Sequence, residues 1–190
     1  SSELDERYRN LSILEKYDYL KLVYGEIHTY FIGMDKETLS PAERERAEQI
    51  ISAVRNSMFS AKSTKDSYAD IEQLRNSSSN IKYQYYLDTR RRVEAFDQSL
   101  TTALSAPAPS NSFEAMVTVY NQVHQGYTEE LKRLYQLEAH HQLTEVDIST
   151  LINFNREFFA CYKAMVWAVK DYLLEKDQAS YFAELPGFIR

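Results

Sequence analysis

The spacing of apolar residues constrains the fold of this chain most, because they recur every three or four positions over five long stretches. In the first stretch the residues at this spacing are Ile13, Tyr17, Leu20, Tyr24, Ile27, Phe31 and Met34. Residues at such steps share one face of an α-helix. Only four glycines and four prolines occur among 190 residues, which leaves few of the turns that a sheet requires. The pattern predicts an all-α protein.

Local start and stop signals divide the chain into helices. A first helix is expected over 4–34, and a second over 41–75 because Ser40, Pro41 and Glu43 form a capping box with proline at the first helical position. The polar run NSSSN at 76–80 separates it from a third helix, which ends at 104 before a Pro-rich linker. A fourth helix is expected from Phe113, with its apolar stripe reaching Leu134 and a loop after His141. A fifth is expected from a Thr144 cap to 173. The tail, 177–190, carries apolar residues, and we expect it either to dock on the bundle or to be cut from a longer context.

Short connections between long helices make neighbouring helices antiparallel. We therefore expect an antiparallel bundle of about five long helices, organised as two related halves. The first half is 1–105, with three helices, and the linker is 106–110. The second half is 111–190, with two long helices and the tail.

Charge and cysteine usage exclude several classes of protein. The net charge of −6 argues against a nucleic-acid partner, since binding to phosphates requires a basic surplus. The single cysteine, Cys161, excludes an internal disulfide framework and fits a reducing compartment. No apolar run approaches the roughly 20 residues that span a bilayer. The sequence starts without Met, and we expect it to be a soluble piece of a larger protein.

Few residues have the spacing of a catalytic or metal site. Glu138 and His141 form one Glu-x-x-His pair, whereas a di-iron bundle needs a second pair and two further glutamates. His124 lies on the apolar stripe of the fourth helix, where a bond to a tyrosine hydroxyl or a backbone carbonyl is expected. Cys161 has no histidine near it in sequence and is expected to be inert. We expect no catalytic residue and no cofactor.

The basic run Arg90-Arg91-Arg92 is flanked by Asp88 and Glu94, which oppose its charge. A solvated helix face is the favoured interpretation of such a run. Contact with a membrane surface or an acidic partner is the alternative.

A charged residue interrupts the apolar stripe of the second helix. At 100° per residue Lys65 points into the stripe, while Lys62, Asp66 and Asp70 follow its margin at steps of four. An ammonium inside a bundle needs a carboxylate partner, so we expect Lys65 to be partly buried and paired. Asp171 on the fifth helix is the expected partner, with Asp66 or a glutamate of another helix as alternatives.

Further polar residues lie on the two helices that contain Lys65 and Asp171. Asn155 lies in the stripe of the fifth helix and is expected to satisfy a buried partner. The charged residues at 55, 62 and 70 recur with the same spacing at 156, 163 and 171, which supports two related halves. The candidate polar network consists of Arg55, Lys62, Lys65, Asp66, Asp70, Asn155, Lys163 and Asp171.

Three stretches resemble the region after the membrane domain of bacterial sodium/phosphate cotransporter-related proteins. They are LSILEKYDYLKLVYGEI (11–27), AVRNSMFSAKSTKDSYADIEQLRNSSS (53–79) and ISTLINFNREFFACYKAMVWAVKDYLL (148–174). The resemblance implies a PhoU-like domain at the cytoplasmic face of the bacterial inner membrane, which regulates or supports phosphate transport without catalysis. The implied partner is the transporter domain of the same polypeptide. A homodimer and phosphate-regulon proteins are further candidate partners.

PhoU-type domains often carry a Glu-x-x-x-Asp motif that contributes to metal clusters. If Asp66 corresponds to the aspartate of that motif, Lys62 replaces the glutamate, and Trp167 stands four residues before Asp171. An ammonium donates hydrogen bonds and cannot ligate a hard cation. We therefore expect no metal site. A metal-binding PhoU-like regulator of phosphate signalling is the alternative function, and a di-iron bundle enzyme is a third class.

Overall fold

The computed structural model describes residues 2–105 and 109–185, and all regular secondary structure in these ranges is α-helical. The helices are α1 (Ser2–Arg9), α2 (Ile13–Gly33), α3 (Pro41–Arg75), α4 (Asn80–Leu104), α5 (Pro109–Ala139), α6 (Glu145–Leu173) and α7 (Lys176–Ala183). Within the described ranges no strand is present. The prediction of an all-α bundle is confirmed. No described helix is both long enough and apolar enough to cross a membrane.

Hydrogen bonds at the helix starts explain several helix boundaries. Ser40 N donates to Glu43 Oε2 at 2.8 Å and Glu43 N donates to Ser40 Oγ at 3.3 Å, which forms the expected capping box. α3 accordingly has the predicted bounds. Thr144 caps α6 as expected, because its Oγ1 accepts a hydrogen bond from Asp147 N at 3.1 Å.

Two predicted boundaries are wrong. The segment 4–34 is not one helix, because a second capping box between Ser12 and Glu15 starts α2 and separates it from α1. The last two residues of the linker predicted at 106–110 are helical, since α5 begins at Pro109. Residues 106–108 lie outside the described part of the chain.

α3 and α6 form the most extensive helix pair of the bundle. They are antiparallel, because Arg46 near the start of α3 bonds the Asp171 carbonyl near the end of α6, while Ser60 contacts Cys161 midway. α4 and α5 are also antiparallel, with Ser99 Oγ donating to Gln122 Oε1 at 3.0 Å. α5 packs on α6, and α2 lies against α3. The helices α3 to α6 therefore form a four-helix bundle with α2 at its edge.

The tail docks on the bundle through α7, as expected for 177–185; residues 186–190 lie outside the described part of the chain. Phe182 is completely buried, with ring centroids of Phe113 and Trp167 each 6.0 Å away. Edge-to-face contacts of this kind add to the stabilisation from apolar burial.

The apolar stripe predicted for α3 is not the face that the bundle buries. Val54, Met58 and Ala61 are half-buried beside a groove that α2 borders, whereas Ser63 and Ser67 are buried, as is Ser60 at the edge of that groove. Small side chains allow two helix backbones to approach closely. These buried serines belong to α3, the helix that packs most extensively on α6, and Ser60 contacts Cys161 of α6.

Candidate functional site

The most apolar of the five long helices, α2, has no buried residue. Its inner side, which includes Tyr17, Leu20 and Tyr24, borders a groove of about 450 Å³ against α3. Its outer side also carries apolar residues, of which four are between 60% and 75% exposed: Leu14, Leu22, Tyr30 and Ile32. We call these four residues the outer face of α2. An ordinary edge helix has a single apolar face, so this second face is a candidate contact surface.

Lys65 connects α3 to α2. Its Nζ lies 4.6 Å from the centroid of the Tyr17 ring and 3.2 Å from Asp66 Oδ1, and its side chain is 27% exposed. Lys62 Nζ lies 3.5 Å from Asp66 Oδ2. The expected pairing of Lys65 with Asp171 is wrong. The antiparallel register of α3 and α6 places Ser52, near the start of α3, beside Asp171.

Asp171 belongs to a buried cluster at the end of α6. Its Oδ2 accepts a hydrogen bond from Ser52 Oγ at 2.8 Å, and its Oδ1 lies 3.1 Å from Lys170 Nζ. Lys170 also donates to the Ala179 carbonyl of α7 at 3.2 Å and lies over the Trp167 ring. The position of these groups indicates that they join α3, α6 and α7.

The remaining members of the candidate polar network lie in separate places. Arg55 and Asp70 are exposed on α3. Asn155 is buried and donates from Nδ2 to the Tyr127 carbonyl of α5 at 3.3 Å. Lys163 is half-buried, and burial lowers its pKa. The eight residues therefore do not form one network.

The other candidates from sequence have no common site. His124 is half-buried and its ring contacts those of Tyr120 and Phe159. Glu138 and His141 are exposed where α5 ends. Among residues 2–105 and 109–185, no group of three or more His, Cys, Asp or Glu side chains is placed to hold a metal ion.

A cluster of charges between α4 and α5 was not predicted from sequence. It consists of Asp88, Arg91, Arg92, Glu130 and Arg133, and we call it the arginine cluster. Asp88 bonds both Arg133 and Arg91, the latter at 3.1 Å. Glu130 Oε1 lies 3.3 Å from Arg133 Nε, and Glu130 Oε2 lies 3.9 Å from Arg92 Nη2. Three guanidinium groups thus face two carboxylates, which leaves a surplus of positive charge.

Burial affects the two carboxylates of the arginine cluster differently. Burial raises the pKa of Glu130, and the charges of Arg92 and Arg133 offset this only in part. Burial also acts to raise the pKa of Asp88. Its hydrogen bonds from Arg133 and Gln84, together with the nearby arginine charges, outweigh burial and lower that pKa. Glu130 is therefore the carboxylate that loses its charge more readily.

The solvated face predicted for the run 90–92 is found for Arg90 and Arg91, which are both exposed. The prediction is wrong for Arg92. Arg92 turns inward, with its guanidinium carbon 5.6 Å from the centroid of the Phe158 ring. Three consecutive helical residues span about 200° of the helix surface, so one of them meets the neighbouring helices. Glu130 lies three residues after Tyr127, on the apolar side of α5. A glutamate at such a position in the sequence indicates a buried carboxylate that needs a cationic partner.

Comparison of the chain with known protein families, with curated proteins and with solved structures gave no match. The three stretches that carry the resemblance lie mainly on α2, α3 and α6.

Proposed function

We propose that this chain is a PhoU-like accessory domain of a bacterial sodium/phosphate cotransporter. In this proposal it lies at the cytoplasmic face of the inner membrane, contacts the transporter domain of the same polypeptide and regulates or supports phosphate transport without catalysis. The proposal is supported by the positions of the stretches 11–27, 53–79 and 148–174. They lie mainly on α2, α3 and α6, and α3 packs against both of the other helices.

The observation that carries the proposal is the outer face of α2. An amphipathic helix at the edge of a bundle needs one apolar side toward the bundle and a polar side toward water. α2 instead exposes Leu14, Leu22 and Ile32 on the side away from α3. At 100° per residue these exposed apolar side chains, with Tyr30, are spread over about 160° of the outer side of α2. Large apolar side chains exposed on one side of a helix are candidates for contact with another protein or a membrane. We assign this face to the contact with the transporter domain.

The proposal first requires a membrane domain in the parent gene. The region encoded before this chain should contain several apolar segments of about 20 residues each, the length that spans a bilayer as a helix. A parent gene without such segments would rule out the cotransporter assignment.

The second test measures sodium-dependent phosphate uptake by the full-length transporter in membrane vesicles. The variant Leu14→Glu/Leu22→Glu replaces two exposed side chains of the outer face and should leave the bundle folded. Its uptake rate should differ from that of the wild type, because the contact with the transporter domain is disturbed. Val146→Glu, at a residue that is 74% exposed on α6, is the matched control. Equal uptake by wild type, double variant and control, at equal expression, would contradict the proposal.

A further inference from the structure

A cavity of about 250 Å³ lies between α4, α5 and α6. Aromatic side chains form much of its wall: Phe96, Tyr127, Phe158, Phe159 and Tyr162. Centroid distances of 4.0 Å for Phe96–Tyr162, 4.4 Å for Phe158–Tyr162 and 4.5 Å for Tyr127–Phe159 place the rings in direct contact. The cavity is therefore shaped by the same packing that holds the three helices together.

Gly126 of α5 provides room in this cavity. A Cβ built at Gly126 would lie 3.9 Å from Arg92 Cδ, an ordinary van der Waals contact, and would meet no nearer neighbour. Glycine inside a helix costs about 0.5–1 kcal/mol of stability relative to alanine. The residue at this position thus leaves space beside Arg92 at the expense of helix stability.

Arg92 supplies hydrogen-bond donors at the cavity wall. Its Nη2 donates to Thr89 Oγ1 at 3.3 Å, and its 3.9 Å separation from Glu130 Oε2 is too long for a hydrogen bond. Within the described residues its buried Nε has no hydrogen-bond partner. Because Nε is buried, it does not itself reach a ligand. A guanidinium group carries five N–H donors and the Arg92 side chain is 27% exposed, so its remaining N–H groups can bond an additional acceptor.

Among the described residues that line the cavity, Arg92 is the cation and Glu129 is the acid, and the Glu129 carboxylate accepts a hydrogen bond from Gln125. The additional guanidinium groups beside Arg92 favour an anionic acceptor. In the arginine cluster three guanidinium groups face the carboxylates of Asp88 and Glu130, and Arg133 contacts both carboxylates. Glu130 Oε2 lies 3.9 Å from Arg92 Nη2, beyond hydrogen-bond distance, so this carboxylate pairs with Arg92 only loosely. The Arg92 side chain is half-buried, and a half-buried positive charge with incomplete pairing is stabilised by a carboxylate that approaches it.

We infer that this cavity binds a small organic anion, with its carboxylate on Arg92 and one apolar ring between the aromatic walls. The volume lies just below the range of about 300–1,000 Å³ for sites of drug-sized ligands, so the ligand is limited to about one ring. Ring contacts and a charge-assisted bond to Arg92 would act together on such a ligand. No residue of this cavity lies on α2, so the binding test is independent of the proposed transport function.

The test uses three probes of one size and different charge, which are benzoate, benzamide and benzylamine. Each is titrated into the ¹⁵N-labelled 190-residue chain, and the amide signal of Gly126 is followed by NMR. Benzoate should bind with a Kd of about 1 mM or lower and at least about tenfold more tightly than the other two. Equal binding of benzoate and benzamide, tighter binding of benzylamine, or no shift at Gly126 would overturn the inference.

Two variants separate charge recognition from cavity volume. Arg92→Met keeps an apolar stem near Gly126 and should remove the preference for benzoate over benzamide. Gly126→Leu should fill the cavity and abolish binding of benzoate, while Gly126→Ala is its control and should bind benzoate within about threefold of the wild type. Circular dichroism monitors folding of each variant. If Arg92→Met does not fold, undiminished benzoate binding by Gly126→Leu would by itself overturn the inference.

Discussion

Lys170 Nζ lies 3.1 Å from Asp171 Oδ1, and both side chains are more than nine-tenths buried. Adjacent residues of a helix point about 100° apart, so this pair exists because its surroundings hold both groups. Ser52 of α3 donates to the carboxylate and the Ala179 carbonyl of α7 accepts from the ammonium. The pair thus lies where α3, α6 and α7 meet.

Asp171→Asn should lower the free energy of unfolding by about 3–5 kcal/mol, because the substitution leaves the Lys170 charge buried without a counter-charge. The double variant Lys170→Met/Asp171→Asn should lose less than the single variant, since both charges are removed. Urea titration measures each value. Glu94→Gln breaks an exposed pair with Arg90 and should cost only about 0–1 kcal/mol. A loss for Asp171→Asn no larger than for Glu94→Gln would disprove the prediction.

Lys65 should be coupled energetically to Tyr17, since its ammonium lies over that ring. A double-mutant cycle of Lys65→Met and Tyr17→Leu should give a coupling energy of about 0.5–1 kcal/mol, the range for partly exposed cation–π contacts. Lys62→Met replaces Lys65→Met in the control cycle, because Lys62 contacts Asp66 and is 62% exposed. Equal coupling in both cycles would show that the ring contact does not stabilise the α2–α3 pair.

Stability should depend on pH through Glu130, whose pKa is raised above its ordinary value of 4.5 by burial. The folded state holds this proton more tightly than the unfolded state. The resulting stabilisation is therefore complete below pH 4.5 and is lost as the pH rises through the folded-state pKa. In Glu130→Gln the free energy of unfolding should no longer fall for this reason as the pH rises. The control Glu129→Gln, at an exposed neighbour, should keep the fall. Unfolding free energies measured from pH 4.5 to neutral pH test this, and identical profiles would refute it.

Asp88 gives the opposite dependence, since its pKa is lowered from 3.8. Its stabilisation is present above pH 3.8 and is lost as the pH falls through the folded-state pKa. Asp88→Asn should therefore reduce the acid sensitivity of the domain while lowering its stability at neutral pH. A variant as acid-sensitive as the wild type would contradict this assignment.

Both capping boxes should stabilise their helices. Ser40→Ala and Ser12→Ala should each reduce the free energy of unfolding by about 0.5–2 kcal/mol, because a backbone N–H loses its acceptor. Ser78→Ala, in the exposed connection between α3 and α4, is the control. Denaturant titration of the three variants gives the comparison, and losses no greater than that of Ser78→Ala would show that the boxes contribute little.

Chelation should leave the melting temperature unchanged. If the proposed PhoU-like resemblance holds and Asp66 corresponds to the aspartate of its motif, Lys62 and Trp167 stand at the glutamate positions, and neither side chain ligates a hard cation. A metal bound only by the folded state would raise the melting temperature, and a chelator would lower it again. Stoichiometric iron or zinc by elemental analysis would contradict this expectation and favour the metal-binding regulator.

The sequence by itself determined the helices and most of their ends. The caps at Ser40 and Thr144 could be predicted because the groups that form them lie three residues apart in the chain. The break at Ser12 uses the same local chemistry, and it falls where the apolar stripe begins at Ile13, yet the prediction extended the helix back to residue 4. Helix type and cap chemistry depend on near neighbours, and near neighbours are readable from sequence.

The tertiary structure alone decided which polar groups are buried and which of them meet. Periodicity assigns residues to the faces of a helix, but it does not state which neighbour each face contacts or in what register. On α3 the apolar stripe faces the groove beside α2, while Ser63 and Ser67 are buried. Asp171 meets Ser52 instead of Lys65 because the antiparallel register of α3 and α6 sets that pairing. Such contacts join residues more than 100 positions apart, and their geometry arises only when whole helices pack.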